Sequence, residues 1–311
     1  MSVSPERCSA ASLAADESLR GTASTVVDWL LVEDPGPWGK RALVHNRLPP
    51  AVAAHLREQA RIHAVRVVLI RRHGRHVPHG IQVYAAHAGV DVRWLEHAHL
   101  PGPEALLDVD LGPMHGGNRL GLGEEQREPI YLVCTNGRHD VCCSERGRPV
   151  ANVLQQAFGD RVWEVSHIGG DRFAPNVVCL PAGVYLGRVA PEVAVDVVER
   201  FDRGEIDLDR YRGRCAYDFV TQAAESFLRE HIGAVGLDDV ELVGHTRMRD
   251  QEDVARFRFN GDEYTVRVAI EHPGPGRPIT CSGPFDAIPP SYELLEIVFE
   301  PSHRHHHRHD R

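Results

Sequence analysis

Lysine is nearly absent from this chain: Lys40 stands alone, and arginine supplies the rest of the 35 basic residues. The imbalance reads as base composition and not as chemistry. Positive charge as a whole is also scarce, with a formal net charge of −9 when the 20 histidines are neutral. Nucleic-acid binders present a basic face to phosphate, so nucleic acid is excluded as a partner. Moderate acidity serves solubility and suits encounters with basic protein surfaces. A run of about 18 apolar residues is missing, which excludes a transmembrane helix and a membrane partner. Met1 to Ser18 carries Arg7, Asp16 and Glu17 but no long apolar stretch, so no secretory signal is expected, and the cytoplasm is the expected location. Self-similarity at a period of about 20–50 residues is missing too, which excludes solenoids and propellers.

What is present is an ordinary globular chain. Hydrophobic residues make up 42%, enough for a core without staples. At 311 residues, two or three domains of about 100–200 residues are expected. Residues 1–20 read as a loose arm and 21–111 as an N-terminal α/β domain. In that domain Thr25–Glu33, Val65–Ile70, Gln82–Ala86 and Val90–Leu95 read as strands, Pro49–His63 as a helix and Glu104–Val109 as a short one. Thioredoxin-like units share this order with many other α/β folds. The glycine-rich stretch 112–127 reads as a linker. In 128–203, strands are expected at Pro129–Cys134, Arg161–Ser166, Asn176–Leu180 and Val184–Val189, the last two joined by Pro181-Ala182-Gly183. Helices are expected at Pro149–Phe158 and Pro191–Phe201. Residues 204–301 begin with a helix, Tyr217–His231, and continue as antiparallel strands with a hairpin at Asn260-Gly261-Asp262. Residues 302–311 form a His/Arg-rich tail, expected to be disordered and able to take up metal adventitiously.

The densest chemistry lies in CTNGRHDVCC (Cys134–Cys143) and SHIGGDRFAPN (Ser166–Asn176). Seven cysteines, three of them within ten residues, point to metal binding or redox work more than to disulfides. Cys134 and His167 each end a strand, and Cys142 and Cys143 are placed in the loop before a helix. All can gather at one end of a sheet, where α/β proteins build their sites. Thiolate and imidazole suit zinc or an iron–sulfur cluster. Structural zinc pairs its cysteines about two to four residues apart. Eight residues separate Cys134 from Cys143, which favours a cluster. Cys179 sits in an apolar run and reads as core. Cys8, Cys215 and Cys281 have no motif around them, and His139 reads as a solvated loop residue.

CTNGRHDVCC, HIGGDRFAPN and LPAGVYLGRV together resemble the sucrase/ferredoxin-like family, with flanking likeness over Gly21–Gly39 and Arg212–Arg229. The resemblance implies a thioredoxin-like ferredoxin domain whose [2Fe–2S] cluster is held by a C-x8-C pair and an H-x3-H pair. Cys134 and Cys143 match the first pair, and His167 matches the first histidine. The second histidine position holds Asp171. Either Asp171 ligates iron, or it orients His167 or pairs with Arg172. In the second case Cys142 or Cys179 completes the site, or no cluster binds. The implied function is single-electron transfer between a reductase and an acceptor, both unknown. No pair of carboxylates argues for sugar hydrolysis. Two other readings stay open: a thiol switch built on Cys134, Cys142 and Cys143, and a structural protein that keeps the fold without the cluster.

Overall fold

The structure is a computed structural model that describes residues 7–74, 79–248, 252–284 and 286–301. Its class is mixed α/β. In chain order the elements are α1 (Cys8–Ala14), β1 (Asp28–Glu33), α2 (Pro50–His63), β2 (Arg66–Arg71), β3 (Ile81–Ala88), β4 (Arg93–Leu100), β5 (Glu124–Glu125) and β6 (Ile130–Cys134). Then come α3 (Val141–Phe158), β7 (Val162–Val165), β8 (Val177–Leu180), β9 (Val184–Leu186), α4 (Pro191–Asp202), β10 (Tyr211–Arg214) and α5 (Phe219–Ile232). The last four strands are β11 (Glu241–Arg247), β12 (Glu252–Phe259), β13 (Asp262–Glu271) and β14 (Ser291–Glu300).

One ten-stranded sheet runs β10-β9-β8-β6-β7-β2-β1-β3-β4-β5. Two four-stranded runs within it share an internal order. In each, two parallel strands joined by a helix (β1-α2-β2, β6-α3-β7) are followed by an antiparallel hairpin laid against the first strand (β3-β4, β8-β9). The runs join edge to edge where β2 pairs antiparallel with β7, Ile70 opposite Val165 and Arg71 opposite Glu164. This repeat is one of topology, offset by about 100 residues from Asp28 to Ile130, too long for a short-period search to find.

The central strands are apolar at nearly every position because both of their faces are covered. Trp29 and Leu31 of β1 enter one core while Leu30 and Val32 enter another, beneath α2. Likewise Ile130, Leu132 and Cys134 of β6 face the first core, and Tyr131 and Val133 face α3 and α4. The first core is common to both runs. The Trp29 and Tyr185 rings lie 6.3 Å apart although four strands lie between theirs. A flat sheet with strands about 4.8 Å apart would separate them by roughly 24 Å. The sheet therefore curls so that its halves face each other, with the helices outside.

Several elements differ from the expectations. The segment read as a loose arm contains α1, with Cys8, Ser9, Ala11 and Ser12 buried against the rest of the chain. Residues 112–127 hold a 3-10 turn with buried Met114 and the strand β5, which pairs with β4 and extends the continuous sheet. The helix expected at Glu104–Val109 is a 3-10 turn, Pro103–Asp108. Helix α3 starts at Val141, and Pro149 lies inside it. Its start is set by Asp140, whose carboxylate accepts the Cys142 backbone N–H at 2.8 Å. The Asn260-Gly261 hairpin forms with both residues at positive φ. The tail, residues 302–311, lies outside the described residues.

Helix α5 locks the β10 edge through buried charge. Glu225, fully buried, lies 3.2 Å from Arg214 and 2.9 Å from Arg229 and accepts the Tyr211 hydroxyl at 2.6 Å. Burial pushes its carboxyl up, but the two guanidiniums outweigh burial and hold it below the usual carboxylate range. A depressed folded pKa gives stability that is complete at neutral pH and lost as pH falls through that value. Glu225→Ala would leave two buried guanidiniums unpaired and should cost about 3–5 kcal/mol in a urea titration. A loss within the range of an ordinary surface substitution would remove this group from the fold's determinants.

Candidate metal centre

The loop 135–140 and the first turn of α3 rise from the end of β6, and the loop 166–171 rises from the end of its parallel neighbour β7. The two loops close on one another. Gly147 allows this: a Cβ there would stand 2.1 Å from the backbone oxygen of Cys134. Gly147→Ala must push α3 off the strand end. It should cost about 1–3 kcal/mol and loosen the site, which a melt paired with metal analysis would detect. A variant of wild-type stability and metal content would show the contact to be slack. Gly169 and Gly170, at φ 97° and 80°, turn the second loop so that His167 and Asp171 face each other. Buried Arg212 fixes that loop by donating to the Gly169 carbonyl and the Asn176 side chain.

Cys134, Cys143, His167 and Asp171 meet at this point. The Cys143 thiol donates to Asp171 Oδ1 at 3.2 Å, and the Cys134 thiol is beside it. His167 Nδ1 lies 3.1 Å from Asp171 Oδ1. The cysteines and Asp171 are buried, whereas the His167 side chain is about a third exposed. Cys142 is turned away, and Cys179 is buried in the core beneath α3 and α4, away from the site.

His139, read from the sequence as a solvated loop residue, is the member that reading missed. Its ring stacks on His167 with centroids 3.5 Å apart, and its Nε2 lies 3.3 Å from Asp171 Oδ2. Its Nδ1–H donates to the Lys40 carbonyl at 3.0 Å. A backbone carbonyl on one ring nitrogen is how proteins orient a metal-ligating histidine, leaving the other nitrogen's lone pair for the ion. The only signal in the sequence was its place inside the Cys134–Cys143 span.

The electrostatics centre on the buried Asp171 carboxylate. The neighbouring Cys134 thiol, burial and the Asp171 carboxylate all push the Cys143 thiol far above its ordinary value. Burial opposes ionisation of Asp171, but the His139 and His167 imidazoles hold its carboxyl well below the usual range. Burial disfavours charge on His139, and Asp171 outweighs it, so the imidazole is raised. Two thiols and a carboxylate can all be anionic together only around a positive centre. His167 Nδ1 and Asp171 Oδ2 are also buried without a well-directed hydrogen bond among the described residues. Such orphans are positions where an ion, a ligand or a water completes the bonding. His139, His167 and Asp171 each offer a ligand atom within 4.8 Å of the others. Soft thiolates with imidazoles fit an iron–sulfur cluster or zinc.

The sucrase/ferredoxin-like family model matches residues 19–213, more than half of the sequence, and the chain belongs to that family. Among curated proteins, "Altered inheritance of mitochondria protein 32" of Meyerozyma guilliermondii is 31% identical over 103 residues, covering 29% of this chain and 36% of that protein. The protein of the same name from Debaryomyces hansenii is 33% identical over 95 residues, 27% of this chain and 35% of its own length. The match thus spans about a third of these relatives. No solved structure matches the chain. Among the described residues no helix is long and apolar enough to cross a membrane.

Proposed function

We propose that this chain is an electron carrier that holds a [2Fe–2S] cluster between Cys134 and Cys143 on one side and His167 and His139 on the other. The observation that carries the reading is the convergence of two buried thiols and two stacked imidazoles on one buried carboxylate. Asp171, at the position of the family's second histidine, steers both imidazoles, and His139 supplies the second ring. Support for a thioredoxin-like unit comes from the order β9-β8-β6-β7, with parallel β6 and β7 and the β8-β9 hairpin. When bound, such a cluster accepts and releases single electrons. The cysteines sit deep and the histidine edges reach the surface, so the imidazoles form the short route to a partner. Beside the site, Trp38, Asn136, Arg138 and Arg148 line a cleft of about 340 Å³, a docking place for a reductase or acceptor.

The test is anaerobic purification followed by a visible spectrum and analysis of iron and acid-labile sulfide. Equal iron and sulfide with a reversible one-electron titration is the expected result. One metal per site with no sulfide would instead indicate a mononuclear centre on His139, His167 and Asp171. A colourless protein without iron would end the electron-carrier reading.

A further inference from the structure

A second group of thiols lies on the other side of the α3 start. Cys8 comes from α1, Cys142 from the first turn of α3, and Cys281 from the connection between β13 and β14. Cys142 Sγ is 3.4 Å from Cys281 Sγ, and Cys281 Sγ is 3.5 Å from Cys8 Sγ. Asp140 Oδ2 is 3.5 Å from Cys8 Sγ. One ligand atom from each of these four residues lies within 4.8 Å of all the others.

We propose that Cys8, Cys142, Cys281 and Asp140 form a separate site for one zinc ion, distinct from the centre at Cys143. Zinc–thiolate bonds of about 2.3 Å in a tetrahedron put sulfurs about 3.8 Å apart, within a few tenths of an ångström of the Cys142–Cys281 and Cys281–Cys8 spacings. That compactness fits a single ion. Three soft thiolates and one carboxylate are a zinc donor set. Successive helical residues point about 100° apart, so the adjacent Cys142 and Cys143 serve different sites. Asp140 is already oriented, since its oxygens accept the backbone N–H groups of Cys142 at 2.8 Å and Cys281 at 2.6 Å. Ser9 Oγ donates to Cys142 Sγ at 3.2 Å, the kind of outer contact that settles a metal-bound thiolate.

The site also accounts for local structure that is otherwise hard to hold. A seven-residue helix has little stability of its own, yet Cys8 is completely buried. Cys8 and Cys281 are 273 residues apart in the chain. One ion on both, and on Cys142, would tie the N-terminal segment and the β13–β14 connection to the start of α3. Ligation energy is then folding energy for those segments.

The experiment measures zinc per chain in the full-length protein beside Cys281→Ser and Cys134→Ser. Cys281 is the least buried of the three thiols, so serine is tolerated there most easily. One zinc per chain is expected in wild type and in Cys134→Ser, falling to near zero in Cys281→Ser. Cobalt substitution of wild type supplies a readout that does not depend on the variant folding. Three thiolates give an intense sulfur-to-cobalt charge-transfer band with tetrahedral d–d bands, which the histidine-rich tail cannot produce. Zinc unchanged in Cys281→Ser, a cobalt form without thiolate bands, or a Cys142–Cys281 disulfide in protein isolated under reducing conditions would each overturn the proposal. Wild-type protein that carries this zinc but no iron would sink the electron-carrier reading and leave the zinc site standing.

Discussion

Cys143→Ser is expected to yield a colourless protein that has lost essentially all of its iron and acid-labile sulfide, while Cys142→Ser keeps both. The two positions are adjacent, equally buried and chemically identical, so sequence alone gives no reason for opposite outcomes. The structure does. Cys143 faces Cys134, Asp171 and the two histidines, whereas Cys142 faces Cys8, Ser9 and Cys281. A serine oxygen is a hard, weakly acidic donor and replaces a thiolate poorly on iron. Iron and sulfide analysis with a visible spectrum reads the result. Loss of colour in Cys142→Ser, or its retention in Cys143→Ser, would mean that the thiols are divided differently and that the proposed ligand set is wrong.

The parts of this site that could be read from the sequence are those whose geometry is local. Cys134 ends β6, His167 lies two residues past the end of its parallel neighbour β7, and Asp171 follows His167 by one short glycine turn. Strand ends and spacing were therefore enough to bring these residues together. His139 was not legible, because what orients it is a carbonyl at Lys40, 99 residues earlier in the chain. A loop histidine carries no mark of that contact. Cys8 and Cys281 were hidden for the same reason, being brought together only by the fold. The start of α3 was misread because Pro149 resembles a first-turn proline, while the real signal, Asp140 as the capping residue, lay inside the presumed loop. In the fold, apolar periodicity located most strands and helices. The curl that packs Trp29 against Tyr185 has no signature along the chain, since it depends on both faces of one sheet being covered at once.

The exchange of histidine positions gives the sharpest test of the site. His139→Ala should remove most of the iron, because ligand loss exceeds the roughly 10–100-fold drop in affinity typical of removing a supporting group. Asp171→His on its own should retain iron but change its properties. It adds an imidazole at the family's second histidine position and deletes a buried negative charge, so the reduction potential should rise, as neutral ligands raise it in Rieske-type centres. The double variant, His139→Ala with Asp171→His, should recover iron that His139→Ala alone cannot hold. The reason is spatial: His139 Nε2 and Asp171 Oδ2 already lie 3.3 Å apart, so an imidazole built at position 171 reaches the place that His139 leaves. Recovery would be non-additive, the mark of two residues competing for one role. Iron content and redox titrations at several pH values across the four proteins supply the readout. If His139→Ala keeps its iron and its potential, His139 is no ligand and Asp171 takes that position. If the double variant stays bleached while Asp171→His retains iron, the two side chains do not address the same ligand position. The steering role given to Asp171 would then have to be replaced by direct coordination.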